Sequence, residues 1–179
     1  MRFLVALTGV IVVLAAAAPV EAAVAPAGRT VRLTKTVGVD ITVPAAVNLG
    51  TAFTGGVLTG SLGRVEVTDV RGPTNPNTWV ATVSATIFTT GAGGPQRTIS
   101  NASISYWSGP AVQSTGGGTL VPGQLTQAQA VTLNVTREAF RKTAGNGNNR
   151  VAWSPSVRIV VPNGIIGGVY QGTITHSVA

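Results

Sequence analysis

The chain has 179 residues, with 12 Lys+Arg against 5 Asp+Glu, a single histidine and no cysteine, for a formal charge of +7. Without cysteine there is no disulfide framework, no thiol nucleophile and no cysteine-linked lipid, so the packed core alone must carry stability. The arginines are scattered rather than gathered into a stripe with interleaved aromatics, which argues against a nucleic-acid partner and for anionic polymers as the electrostatic counterpart.

Residues 1–22, MRFLVALTGVIVVLAAAAPVEA, combine Arg2, an apolar run from Phe3 to Ala18 and small residues before Ala23, the pattern of a secretory signal peptide cleaved near Ala22. The run falls short of the roughly 20 residues that a spanning helix needs, so no membrane attachment is expected after cleavage. Residues 23–28, AVAPAG, read as a short flexible lead-in, and residues 29–179 as one domain. Within that domain RTVRLTK, VGVDITVP and GRVEVTDV are short strands bounded by Gly or Pro. In NTWVATVSATIF the apolar residues Trp79, Ala81, Val83, Ala85 and Ile87 alternate with polar ones, the two-residue period of a strand with one buried face. Glycine tracts at 91–95, 114–118 and 145–149 read as turns or exposed loops. QAVTLNVT is expected to turn Val131, Leu133 and Val135 inward, and PSVRIVVP Val157, Ile159 and Val161. TREAFRKT is the one stretch that suits a turn or two of helix, with Thr136 as its N-cap. Strands about 10–15 residues apart with no intervening helices predict an all-β fold: a single antiparallel sandwich or barrel-like domain after a cleaved signal peptide.

Chemistry is sparse. His176 and Ser177 are adjacent on an expected strand and so point to opposite faces, which spoils a catalytic triad. Glu66 and Asp69, three residues apart on a strand, also face opposite ways, and they read as solvated acids beside Arg64 and Arg71 rather than a glycosidase pair. No run of His, Cys or Asp has metal-ligand spacing, and neither GAGGP nor STGGG continues as a phosphate-binding loop, so no catalytic residue, metal or cofactor is expected. Tyr106 with Trp107, and Trp153, are aromatics that either stack on sugar rings or fill the core.

The closing segment VRIVVPNGIIGGVYQGTITHSV resembles the end of WxL-type cell-wall-binding domains of Gram-positive bacteria. Their last strand reads roughly Gly-x-Tyr-x-x-x-(Leu/Ile)-Thr-Trp-x-Leu, and Gly168, Tyr170, Ile174, Thr175, His176 and Val178 fall in those places. The first Trp-x-Leu motif of that family opens a strand of alternating Val and Thr that ends at a Phe, as Trp79, Val83 and Phe88 do here. Alanine stands at position 81 where the motif has leucine, and histidine and valine stand at 176 and 178 where it has tryptophan and leucine.

The resemblance implies a secreted, non-enzymatic protein of the cell wall or cell surface that binds peptidoglycan or its anionic polymers non-covalently. The expected contact residues are Trp79, Tyr106, Trp107, Tyr170 and His176, with Arg137, Arg141 and Lys142 from the segment where charge is densest. The alternative is a structural module, pilin-like or surface-layer-like, whose partners are other surface proteins joined by strand contacts.

Overall fold

The structure is a computed structural model that describes residues 5–6, 10–16, 38–73, 77–145 and 147–179. The lead-in 23–28, the strand expected at RTVRLTK and most of the signal sequence lie outside the described residues. In chain order the strands are β1 (Val5–Ala6), β2 (Val10–Ala16), β3 (Val39–Thr42), β4 (Ala46–Ala52), β5 (Val57–Ser61), β6 (Val65–Asp69), β7 (Trp79–Ala85), β8 (Phe88–Thr89) and β9 (Thr98–Ile99). They continue with β10 (Ile104–Trp107), β11 (Ala111–Gly116), β12 (Thr119–Pro122), β13 (Val131–Thr132), β14 (Arg137–Ala144), β15 (Asn149–Trp153), β16 (Ser156–Val160) and β17 (Gly168–Val178). Three single 3-10 turns interrupt them, and among the described residues there is no α-helix. The protein is all-β.

One layer is a sheet in the order β12-β14-β7-β17-β2-β4, with β1, β8 and β9 at its margins. The facing layer is recorded as two four-stranded sheets, β13-β10-β16-β5 and β11-β15-β6-β3. Their strands match pairwise: β10 leads into β11, β15 into β16, and β5 into β6 through two- or three-residue links. Physically they form one long antiparallel sheet that bends at Ser108–Pro110, Ser154–Pro155 and Leu62–Arg64. Gly63, at φ 80°, and Gly109, at φ 71°, supply the left-handed backbone that two of these bends need.

The core lies between the layers. Trp79, Ala81 and Val83 of β7, Phe140 of β14 and Tyr170 and Ile174 of β17 pack against Val65, Val67, Tyr106, Val151, Trp153, Val157 and Ile159 of the bent sheet. The alternation expected over NTWVATVSATIF holds from Trp79 to Val83 and then ends. Thr86 leaves the ladder, Ile87 is half exposed at 50%, and Phe88 takes the inward place.

Other expectations are corrected. TREAFRKT is not helical: residues Arg137–Ala144 form β14, hydrogen-bonded to β12 on one side and β7 on the other. Two ladders and the burial of Phe140 outweigh the weak helical propensity of an eight-residue stretch. QAVTLNVT is a strand only at Val131–Thr132. The chain then turns, burying Leu133 but leaving Val135 52% exposed. The tract STGGG is not wholly a loop, because Ser114, Thr115 and Gly116 pair with β15.

Candidate functional site

β17 places its side chains as its two-residue period requires, with Tyr170, Ile174, His176 and Val178 on the inner face and Gln171, Thr173, Thr175 and Ser177 on the other. His176 lies opposite Val83 on β7 and is fully buried. Its Nε2 is 3.2 Å from the Tyr106 hydroxyl, and Trp153 Nε1 donates to that same hydroxyl over 3.4 Å. The hydroxyl accepts from the indole, and the imidazole tautomer decides which partner donates in its contact with Nε2. Burial drives the imidazole pKa down to about 4 and pushes the Tyr106 phenol up. Nδ1 has no partner among the described residues, so no carboxylate orients the ring as a catalytic base requires.

The aromatics continue from this point. Trp153 and Phe140 stack at 4.9 Å, and Phe140 and Trp79 meet at 6.5 Å. Trp79 Nε1 donates to Asn149 Oδ1 at 3.1 Å, and Asn149 Nδ2 donates to Asp69 Oδ2 at 3.3 Å. Asp69, buried on the inner face of β6, also takes a two-pronged pair from Arg71, through Nε at 3.0 Å and Nη2 at 2.9 Å. Burial pushes its carboxyl up, but the Arg71 and Asn149 hydrogen bonds and the Arg71 charge outweigh that and hold it below the ordinary range. Arg71 Nη2 extends the network to Asn77 Oδ1 at 2.6 Å and Thr78 O at 2.8 Å.

The residues at the two motif positions, Trp79 and His176, are thus joined through one aromatic core. Trp79, Tyr106, Tyr170 and His176 are each at most 1% exposed, and in this conformation no sugar ring stacks on them. Trp153 is equally enclosed. Asp69 corrects the expectation of a solvated acid, because its in-register position with Val65 and Val67 carries it into the core.

Lys142 is also corrected. It lies opposite Trp79 on β14 and is 1% exposed, its stem beneath Gly118, where an added Cβ would come within 2.5 Å of Cε. Its Nζ has no hydrogen-bond partner among the described residues. A buried amine without a partner opposes folding, so Lys142→Met, similar in length and apolar, is expected to raise stability by about 1–3 kcal/mol. A denaturant midpoint that falls on this substitution would show that the amine has a stabilising partner.

The groups that remain accessible lie on the outer face of the bent sheet and on β14. Ser105 pairs with Arg158 and Trp107 with Ser156, so Trp107 and Arg158, both half-buried, are diagonal neighbours about 7–8 Å apart on one face. Further along that face Glu66 accepts from Arg64 Nη2 at 2.9 Å and from Arg150 Nε at 2.6 Å. Two guanidiniums share one carboxylate there, leaving a net positive charge, and the arginine side chains are 46% and 53% exposed. Burial pushes the Glu66 carboxyl up, but Arg150 and Arg64 together outweigh it and keep the carboxyl ionised, unlike the protonated acid of a glycosidase.

Arg137 is committed to Thr132 O at 2.9 Å and Asn134 Oδ1 at 3.3 Å, and Arg141 is exposed and pairs with Glu138 at 3.4 Å. The structure therefore keeps Trp107 and Arg141 of the expected contact residues accessible, and it adds Arg64, Arg150 and Arg158. Arg64 and Arg150 are far apart in sequence and meet at Glu66 only through the pairing of β6 with β15, whereas Arg158 lies eight residues beyond Arg150 on β16, beside β10. The outward register of Arg150 and Arg158 on their strands was the one signal for them in the sequence, and Arg64, in a bend, gave none.

Among the described residues no cluster of His, Asp or Glu could hold a metal, and no helix is long and apolar enough to cross a membrane. A surface depression lined by Pro95, Gln96, Pro162, Asn163 and Ile165 has no ionisable side chain in its wall. No protein-family model matches the sequence, and comparison with curated proteins and with solved structures gives no match.

Proposed function

We propose that the protein is a secreted, non-enzymatic surface protein that binds the bacterial cell wall, through peptidoglycan or its anionic polymers, without a covalent link. The observation that carries this reading is the outer face of the bent sheet, where Trp107 and Arg158 are diagonal neighbours and Arg64 and Arg150 share Glu66. An accessible indole offers an apolar plane to a sugar ring, and excess guanidinium charge attracts phosphate or carboxylate groups along a polymer. The signal-like start, the charge of +7 and the resemblance to WxL domains support the same reading. Under it, the Trp-x-Leu positions serve the fold, and affinity comes from the outer face.

The mature protein is expected to co-sediment with isolated wall sacculi at low salt and to be released steeply as salt rises, because exposed charges are screened within about 10 Å at 0.1 M. Arg64→Gln combined with Arg150→Gln is expected to weaken sedimentation at least several-fold without lowering the melting temperature appreciably. Protein that stays in the supernatant at low salt would overturn the reading.

A second reading, a module that associates with other surface proteins through strand contacts, is favoured by one observation: β17 is joined along one side by a strand from the stretch read as a cleaved leader.

A further inference from the structure

We propose that the mature protein presents an open strand slot between β17 and β4, and that the N-terminal segment of a second copy fills it. The proposal deepens the strand-contact reading and rests on removal of residues 1–22.

β2 lies between two strands that do not pair with each other. It runs antiparallel to β17 over seven residue pairs, from Ala16 opposite Gly168 to Val10 opposite Ile174. It runs parallel to β4 over six pairs, from Ile11 opposite Ala46 to Ala16 opposite Ala52. Cleavage near Ala22 takes β2 away, along with β1, which pairs with Ser177 and Val178. Among the described residues β4 has no other ladder, and it would be held to the molecule by side-chain packing alone, as where Leu49 lies against Gly60. The residues Gly168–Ile174 of β17 would lose every hydrogen bond on that side. Two walls of unpaired N–H and C=O groups would then face each other two strand spacings apart, about 10 Å. An ordinary sheet edge offers one such wall, and this slot offers two.

The segment left ahead of Gly38 in the mature chain is residues 23–37, and within it RTVRLTK, residues 29–35, has the period of a strand. In the register that β2 shows, with residue 29 in the place of Val10, Val31 stands opposite Gly172 and Leu33 opposite Tyr170, on the inner face. Arg32 then stands opposite the exposed Gln171 on the outer face.

The same molecule cannot fill its own slot in this direction. A strand parallel to β4 ends beside Ala52, whereas β3 feeds β4 at Ala46, the opposite end of the slot. With residues 29–35 in place, only three residues would remain to return to Val39, with a reach of about 14 Å. The slot itself is about 20 Å long at about 3.3 Å per residue. Moving the segment back to seat residues 23–29 would put Pro26, which has no N–H, between two ladders. A second copy has neither difficulty. Because each copy would both offer a slot and donate a segment, the exchange is either reciprocal, closing a pair, or head-to-tail, building rings or open chains.

The test uses the secreted protein. Its intact mass first establishes whether residues 1–22 are gone, and a retained leader would overturn the proposal at its base. The chain contains no cysteine, so a copy carrying only R32C and a copy carrying only Q171C can be mixed and oxidised. The expected product is the mixed disulfide dimer, in at least tenfold excess over the same mixture made with L33P added to the first copy. A leaderless protein that gives no mixed dimer, or in which a chain carrying both R32C and Q171C closes only upon itself as a monomer, would overturn the proposal. Neither result would touch the wall-binding reading, which the sedimentation experiment tests separately.

Discussion

Trp79→Ala is expected to destabilise the domain by about 3–5 kcal/mol through lost packing and an unfilled cavity. The indole is 1% exposed, packs on Phe140 and donates to Asn149 Oδ1. Removing it also leaves that buried acceptor open and loosens the side chain that donates, alongside Arg71, to Asp69 Oδ2. A domain of this size typically has about 5–15 kcal/mol in hand and shifts its melting temperature by about 2–4 °C per kcal/mol, so a fall of about 6–20 °C is expected in a thermal melt followed by near-UV circular dichroism. Trp79→Phe keeps most of the ring contact and loses the N–H, so it should fall between wild type and alanine. The substitution separates two roles for the first Trp-x-Leu position. If alanine there left the melt unchanged and abolished sedimentation with sacculi, the tryptophan would be a binding residue and the buried network would not matter.

What the sequence made legible follows from the reach of a periodic pattern. β7, β16 and β17 were legible because alternation runs through most of each, and the alternation that set His176 beside Tyr170 and Ile174 also set it in the core. β14 was not legible for a physical reason. Its ladder with β7 shifts register between Glu138 and Phe140, so Ala139 and Phe140 are both buried and the two-residue period is broken where the strand is most tightly held. Residues 10–16 were illegible as a strand because an unbroken apolar run has no period to mark a face.

Asp69 was misread because a carboxylate was assumed to be solvated. Its in-register spacing with Val65 and Val67 outweighed its type once Arg71 and Asn149 could satisfy it. The cationic outer face was beyond reach, since Arg64 and Arg150 meet at Glu66, and Arg158 meets Trp107, only when strands distant in sequence pair. Fold class is written in local pattern, whereas a surface assembled from several strands is written in their pairing.

Acid is expected to weaken the protein in two separate windows, and His176 governs the first. Its folded pKa, about 4, lies below the unfolded value of about 6.5, because burial excludes the charged ring. Above pH 6.5 both states hold a neutral imidazole and the group has no effect on stability. As the pH falls from 6.5 towards 4, the unfolded chain takes up a proton that the folded chain refuses, so stability drops by up to about 1.4 kcal/mol per pH unit, and by about 3 kcal/mol across the window. Asp69 and Glu66 act lower. Their carboxyls are held below the ordinary range, so the stability they contribute is present above about pH 4 and is lost as the pH falls through their folded values. Urea unfolding at half-unit steps from pH 7.5 to 4.5 isolates the histidine, since both carboxylates stay ionised over most of that span. His176→Phe is expected to abolish the slope and to lower stability by about 1 kcal/mol at pH 7.5, because the Tyr106 hydroxyl loses its hydrogen-bond partner, so that the variant becomes the more stable of the two below about pH 6. A wild-type curve that is flat between pH 6.5 and 4.5 would mean that the imidazole meets water or a counter-charge in the folded state, and that the enclosed aromatic core described around it is open.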